Sequence, residues 1–332
     1  MILTPAIIAL VAGHLLLVLF GFGAMAVALQ ILRHWDLRSG SERQIRMERR
    51  TYLVSTVMAY LMGFEIFSLF LFVYTADNIH PLFVGAMCAA GSLHANGWGY
   101  PTLVLKLVNV LLCGVWLLIN HADNQAPDYP MIRFKYKWLI AVMVLLGLES
   151  LFQLNYFRGI EANMITSCCG TLFGETSGTV AGDIASFSPR GMQVLFFLSA
   201  VLTLRSGVYF QATGRGAVVY SLLSLWLFWL TIGAVISFIS VYYYELPTHH
   251  CPFDILQQGY HYVGYLLYAA LVGAGIFGAG VGIIERFADS VSMEKIIPRL
   301  QKYFCLISMG CYIVVILISG WPLVFSDFRL IH

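Results

Sequence analysis

The chain has 332 residues, of which 59% are hydrophobic and 11% charged, with a formal net charge of +2. A soluble domain carries about 25% charged residues, and so few charges cannot coat a globule of this size in water. The composition excludes a soluble globule and points to an all-α integral membrane protein in contact with a lipid bilayer.

Eight apolar runs are long enough to cross a bilayer as helices: roughly 5–32, 51–75, 102–121, 138–157, 191–211, 217–244, 260–284 and 303–324. A helix needs about 20 residues to span a hydrocarbon core of about 30 Å. The first run has no basic stretch before it and no small-residue cleavage site after it, so it reads as a span rather than a leader. None of the loops is long enough for a folded soluble module, and 1–332 reads as a single transmembrane domain.

Lys and Arg fall in alternate loops. Arg33, Arg38, Arg43, Arg46, Arg49 and Arg50 follow the first span, with Glu42 and Glu48 interleaved as in a helical extension. Arg133, Lys135 and Lys137 follow the third, Arg215 the fifth, and Arg286, Lys295, Arg299 and Lys302 the seventh. Loops 76–101 and 245–259 have no Lys or Arg, and 158–190 has only Arg158 and Arg190. Basic loops stay cytoplasmic. The N-terminus and C-terminus are therefore both expected outside, in the periplasm if the membrane is a bacterial inner membrane. The arginine-rich loop suits anionic lipid rather than nucleic acid.

This orientation sorts the seven cysteines. Cys88, Cys168, Cys169 and Cys251 are in outward loops, while Cys113, Cys305 and Cys311 are inside spans and read as small packing residues. Thiols facing an oxidising compartment pair or bind metal. The densest chemistry is Thr248-His249-His250-Cys251-Pro252-Phe253-Asp254. Cys251-Pro252-Phe253-Asp254 reads as a C-P-x-C redox motif whose second cysteine is a carboxylate, with His249 and His250 placed to favour the thiolate. Its resolving partner would be Cys88, Cys168 or Cys169 from another loop. The same residues allow a soft-metal site: His249, His250 and Cys251, completed by Cys88, Cys169, His80 or His94, would suit copper, zinc or mercury. They also allow two structural disulfides that merely staple the loops.

Four ionisable residues lie in apolar runs: Glu65, Lys106, Glu149 and Arg205. Such residues face the bundle interior and usually pair. A Glu–Lys pair is expected, with Glu65 and Glu149 as candidate proton carriers and Arg205 snorkelling to the cytoplasmic surface. Gly63-Phe64-Glu65 and Gly147-Leu148-Glu149 occupy matching depths, each followed by an outward cysteine. An internal duplication relating 51–121 to 138–211 would account for this. His14 and His261 are at depths compatible with axial ligation of a b-type haem. No C-x-x-C-H exists for a covalent c-type haem. Gly273-Ala274-Gly275-Ile276-Phe277-Gly278 spells a dinucleotide fingerprint but lies within an apolar span, where small residues let helices pack closely.

In chemistry the Cys251 loop is similar to membrane thiol oxidoreductases that pass electrons between periplasmic disulfides and quinone. Those carry paired cysteines on a smaller bundle, whereas here the cysteines are spread over three loops. The leading expectation is membrane redox work: thiol–disulfide exchange coupled to quinone or to a partner electron carrier. The partner would be a periplasmic redox protein or the subunits of a respiratory complex. Cys251, Cys88, Cys168, Cys169, Glu65 and Glu149 would carry it. A soft-metal transporter and a non-catalytic membrane anchor are the alternatives.

Overall fold

The computed structural model describes residues 4–36, 39–161, 164–166, 182, 184 and 187–328. The protein is 80% helical and has no strands among the described residues. Eight helices are long and apolar enough to cross a membrane. They are α1 (Pro5–His34), α2 (Glu42–Asn78), α3 (Gly99–Asp123), α4 (Ile132–Arg158), α5 (Pro189–Thr213), α6 (Ala217–Tyr244), α7 (Val263–Glu285) and α8 (Ile296–Phe325). Each expected span falls within or against one of them, and the helices overrun the apolar runs at several ends. The Arg-rich segment is helical from Glu42 onward, where α2 begins. The seventh helix starts later than expected, because His261 and Tyr262 adopt left-handed backbone (φ 53° and 56°) that breaks it from the turn before.

The chain divides into two compact units, the first comprising 1–73, 96–161 and 284–300 and the second 74–95, 162–283 and 301–332. The first is a bundle of α1, most of α2, α3 and α4. Thr4 caps α1 by accepting from the Ile7 amide, Pro5 supplies a preset first turn, and Arg33 and His34 lie against the negative end of the helix dipole. The buried residues of α1 are Ile7, Leu10, His14, Leu17, Gly21, Ala24, Ala28 and Ile31. They alternate by three and four, the knobs-into-holes seam of a left-handed bundle. The rest of the helix is equally apolar but exposed, at Leu15, Leu19 and Phe22 for example, as a lipid-facing surface should be.

The other three helices carry the same spacing. Met58, Met62, Glu65, Leu69 and Phe72 are buried on α2, Thr102, Lys106, Asn109, Cys113 and Trp116 on α3, and Leu139, Val142, Leu146, Glu149 and Gln153 on α4. Gly21 lets α1 close on α4, since a Cβ there would meet Met143 Cε at 1.9 Å. The α3–α4 connection is pinned from inside. Asp123 pairs with Lys135 at 2.7 Å, both side chains fully buried, and accepts from the Met131 amide at 2.9 Å.

The second unit holds α5, α6, most of α7 and most of α8. Ser188 caps α5, and Gly214 and Gly216 turn the chain into α6 with left-handed backbone (φ 69° and 90°). The glycines of α7 serve close packing: a Cβ on Gly278 would be 1.9 Å from Ser224 Oγ, and one on Gly282 would be 2.6 Å from Ser221 Cβ. Ser221 and Ser224 donate back to the carbonyls of Ala279 and Ala274 at 3.3 and 3.4 Å. Near its end α6 widens into a π-helical turn, Val235–Ile239.

Candidate functional sites

Among the described residues, two clusters of chemically competent side chains stand out, one in each unit. The first is a polar layer across the seams of the first unit. His14 is on α1, Glu65 and Ser68 on α2, Lys106 and Asn109 on α3, and Glu149 and Ser150 on α4. Consecutive membrane helices alternate in direction. His14 and Lys106 lie near the starts of their helices and Glu65 and Glu149 toward the ends of theirs, each roughly two to four turns in, so all four reach one level.

Lys106 is the hub. Its ammonium donates to Glu149 Oε1 at 2.6 Å, Ser68 Oγ at 2.8 Å and His14 Nε2 at 3.0 Å. Those three bonds use all its protons. An ammonium cannot accept, so Nε2 of His14 carries a lone pair and Nδ1 carries the hydrogen. The other side of the ring agrees: His14 Nδ1 is 3.1 Å from Ser150 Oγ, whose own proton goes to the Leu146 carbonyl at 2.7 Å. His14 is therefore a neutral imidazole with both nitrogens engaged.

Glu149 accepts a second bond from Asn109 Nδ2 at 2.6 Å. Glu65 is different. Its side chain is fully buried, 3.5 Å from Lys106 Nζ and 3.5 Å from His14 Nε2, and neither carboxyl oxygen receives a hydrogen bond. Ser68, the nearest hydroxyl on its own helix, donates to the Glu65 backbone carbonyl instead. The expected Glu–Lys pair is present. That His14 joins it, and that Glu149 takes the lysine's short bond while Glu65 does not, was missed. The heptad phase of His14 on α1 was the available signal.

The second cluster is built by the loop between α6 and α7 and by residues 77–94. Glu245 ends α6 in left-handed backbone (φ 55°), and the chain then folds through short turns at Asp254–Leu256 and Gln258–Tyr260. Tyrosines hold this loop from the helices: Tyr244 donates to the Cys251 carbonyl at 2.7 Å and accepts from the Ile255 amide at 2.8 Å, while Tyr268 donates to the Pro252 carbonyl at 2.6 Å. Asp77 accepts from the Ala89 amide and from Gln257 Nε2 at 3.1 and 3.2 Å, tying the two segments together.

Cys88 Sγ and Cys251 Sγ, both fully buried, are 3.4 Å apart. Cys251 donates to Asp254 Oδ1 at 3.4 Å, and its sulfur receives the Phe253 amide at 3.4 Å. Asp254 Oδ2 is 2.6 Å from His249 Nε2. That bond and the Asp254 charge raise His249 above the usual histidine value despite partial burial. Burial pushes the Asp254 carboxyl up, but hydrogen bonds from His249, Cys88 and Cys251 outweigh it and hold the group below the usual carboxylate range.

The sequence-derived candidates are thus distributed unevenly. Cys88, Cys251, Asp254 and His249 converge. His250 Nδ1 instead bonds the Ile236 carbonyl in the π turn at 2.9 Å. His80 bonds the Asp77 carbonyl, His94 is exposed at the end of the short helix Ala89–His94, and His261 is exposed. Cys168 and Cys169 lie outside the described residues. Residues just before them pair with the Cys88 segment: Val84 and Thr166 exchange backbone bonds with Met164 and Val84 at 2.9 and 3.0 Å. Cys113 and Cys305 are buried packing residues. Comparison with known proteins gives no match to a family model, to a curated protein or to a solved structure.

Proposed function

We propose that the protein is a multi-pass membrane redox protein whose working couple is the Cys88–Cys251 dithiol. The observation that carries this reading is the contact of two buried sulfurs, 163 residues apart in sequence, beside a carboxylate–imidazole pair. A disulfide bond is about 2.05 Å, so closure needs an approach of about 1.4 Å. The Cys251 thiol donates to Asp254, which orients it toward Cys88, and His249 holds the carboxylate in place. The sulfurs then join, two electrons and two protons leave, and a quinone accepts them to become quinol. Burial of both sulfurs favours a small acceptor over attack by a protein thiolate, which needs access. The distribution of Lys and Arg supports a reading in which this site and both termini face outward, in the inner membrane if the source is bacterial.

The test is thiol trapping with mass mapping. Reduced protein given a soluble quinone should lose both Cys88 and Cys251 to one linked peptide, with one quinol formed per disulfide. Cys88 and Cys251 that stay open to alkylation in unfolded samples after such treatment would refute it.

A second reading is favoured by one observation: Cys88, Cys251 and Asp254 present three ligand atoms within 4.8 Å of one another. Such a set suits a soft cation such as copper(I) or zinc. Metal bound stoichiometrically, lost in both Cys88→Ser and Asp254→Ala, and blocking alkylation would select it.

A further inference from the structure

We propose that the polar layer of the first unit is a binding site for one exchangeable proton, carried by Glu65 and set at single occupancy by Lys106. It stands on a different cluster from the cysteine couple and needs no electron transfer.

The argument is a count of charges and donors. The layer holds two carboxyl groups, one ammonium and one imidazole, all buried. The hydrogen bonds fix the imidazole as neutral. Lys106 balances one carboxylate, and its shortest bond selects Glu149, which Asn109 also serves. A second carboxylate would leave an uncompensated charge inside a low-dielectric bundle, which is prohibitively costly. Glu65 is that second group, and it has no donor on either oxygen. A protonated carboxyl needs none and can itself donate.

A metal ion does not fit in place of the proton. His14, Glu65 and Glu149 do bring ligand atoms within 4.8 Å of one another. However, the ammonium sits 2.6 Å from Glu149 and 3.5 Å from Glu65 and occupies the His14 lone pair. A cation there would face both repulsion and a missing ligand. The ammonium is also only about an ångström further from Glu65 than from Glu149. A small shift of Lys106 would let the negative charge, and with it the proton, change places between the two carboxyls. The groups that face Glu65 are His14, Ser68, Lys106 and Glu149, with the Cys113 thiol nearby on α3.

Infrared spectroscopy of the purified full-length protein in lipid vesicles tests this. The resting protein should show one protonated-carboxyl stretch that shifts in heavy water and declines reversibly as pH rises. Glu65→Gln should abolish it. Glu149→Gln should abolish it too, because Lys106 then balances Glu65. Lys106→Met should roughly double it, since both carboxyls must then hold protons. Retained cooperative thermal unfolding identifies the folded variants, and the isosteric Glu65→Gln alone suffices if the others misfold. A resting protein without the band, or a band unchanged in Glu65→Gln, would overturn the proposal. A band that survives Glu149→Gln in folded protein would overturn the role of Lys106.

Discussion

The hydrogen bonds of the polar layer predict an order of stabilities that runs against chemical intuition about buried charges. Lys106 makes three hydrogen bonds, one of them the ion pair with Glu149, Glu149 accepts two, and Glu65 accepts none. Lys106→Met removes the only cation and leaves Glu149 buried without its partner, a change that costs about 3–5 kcal/mol. Glu149→Gln keeps one acceptor oxygen and lets Lys106 turn to Glu65, so it should cost about 1.5–3 kcal/mol, the scale of one charged hydrogen bond. Glu65→Gln replaces a carboxyl that receives nothing, and should cost less than about 1 kcal/mol. Thermal or denaturant unfolding in one detergent, read by intrinsic fluorescence, would rank the three. A Glu65→Gln variant as unstable as Lys106→Met would refute the assignment of roles, as would a Lys106→Met variant indistinguishable from wild type.

Three further outcomes follow from local geometry. Asp123→Asn leaves the fully buried Lys135 ammonium without its counter-ion and should cost about 3–5 kcal/mol, largely recovered when Lys135→Met is added; unfolding midpoints of the single and double variants check this. Gly278→Ala drives a methyl group toward Ser224 Oγ and should cost about 1–3 kcal/mol, partly relieved by Ser224→Gly, as measured by the same unfolding curves. The His249–Asp254 pair should act with a definite sign against pH. His249 is raised, so its contribution is complete below about pH 6.5 and fades as pH climbs through the folded value. Asp254 is lowered, so its contribution persists above about pH 4 and is lost only as pH falls through its folded value. The stability difference between wild type and His249→Asn should therefore shrink from mildly acidic to alkaline pH, and a difference that grows would contradict the pairing.

The eight spans were legible in the chain because they depend on long-range averages. Eight apolar runs survive any local irregularity, and all eight appear as helices. The packing role of Gly278 was also readable, since small residues in an apolar helix have few other uses. Boundaries set by single backbone conformations were not readable, and the left-handed pair His261 and Tyr262 displaced the start of α7. Nor were partners that meet in space. His249 and His250 are neighbours in sequence, yet one faces Asp254 and the other the carbonyl of Ile236, because a loop turns successive side chains to different sides. Which cysteine meets Cys251 depended on how residues 77–94 dock, through Asp77 and Gln257, on a loop far along the chain. His14 is the clearest case. Its identity suggested a metal ligand, while the three–four alternation of α1 carries it to a lysine. Composition fixes which residues enter a bilayer, but only the joint phase of several helices decides which buried polar groups share one layer, and therefore where the charges balance.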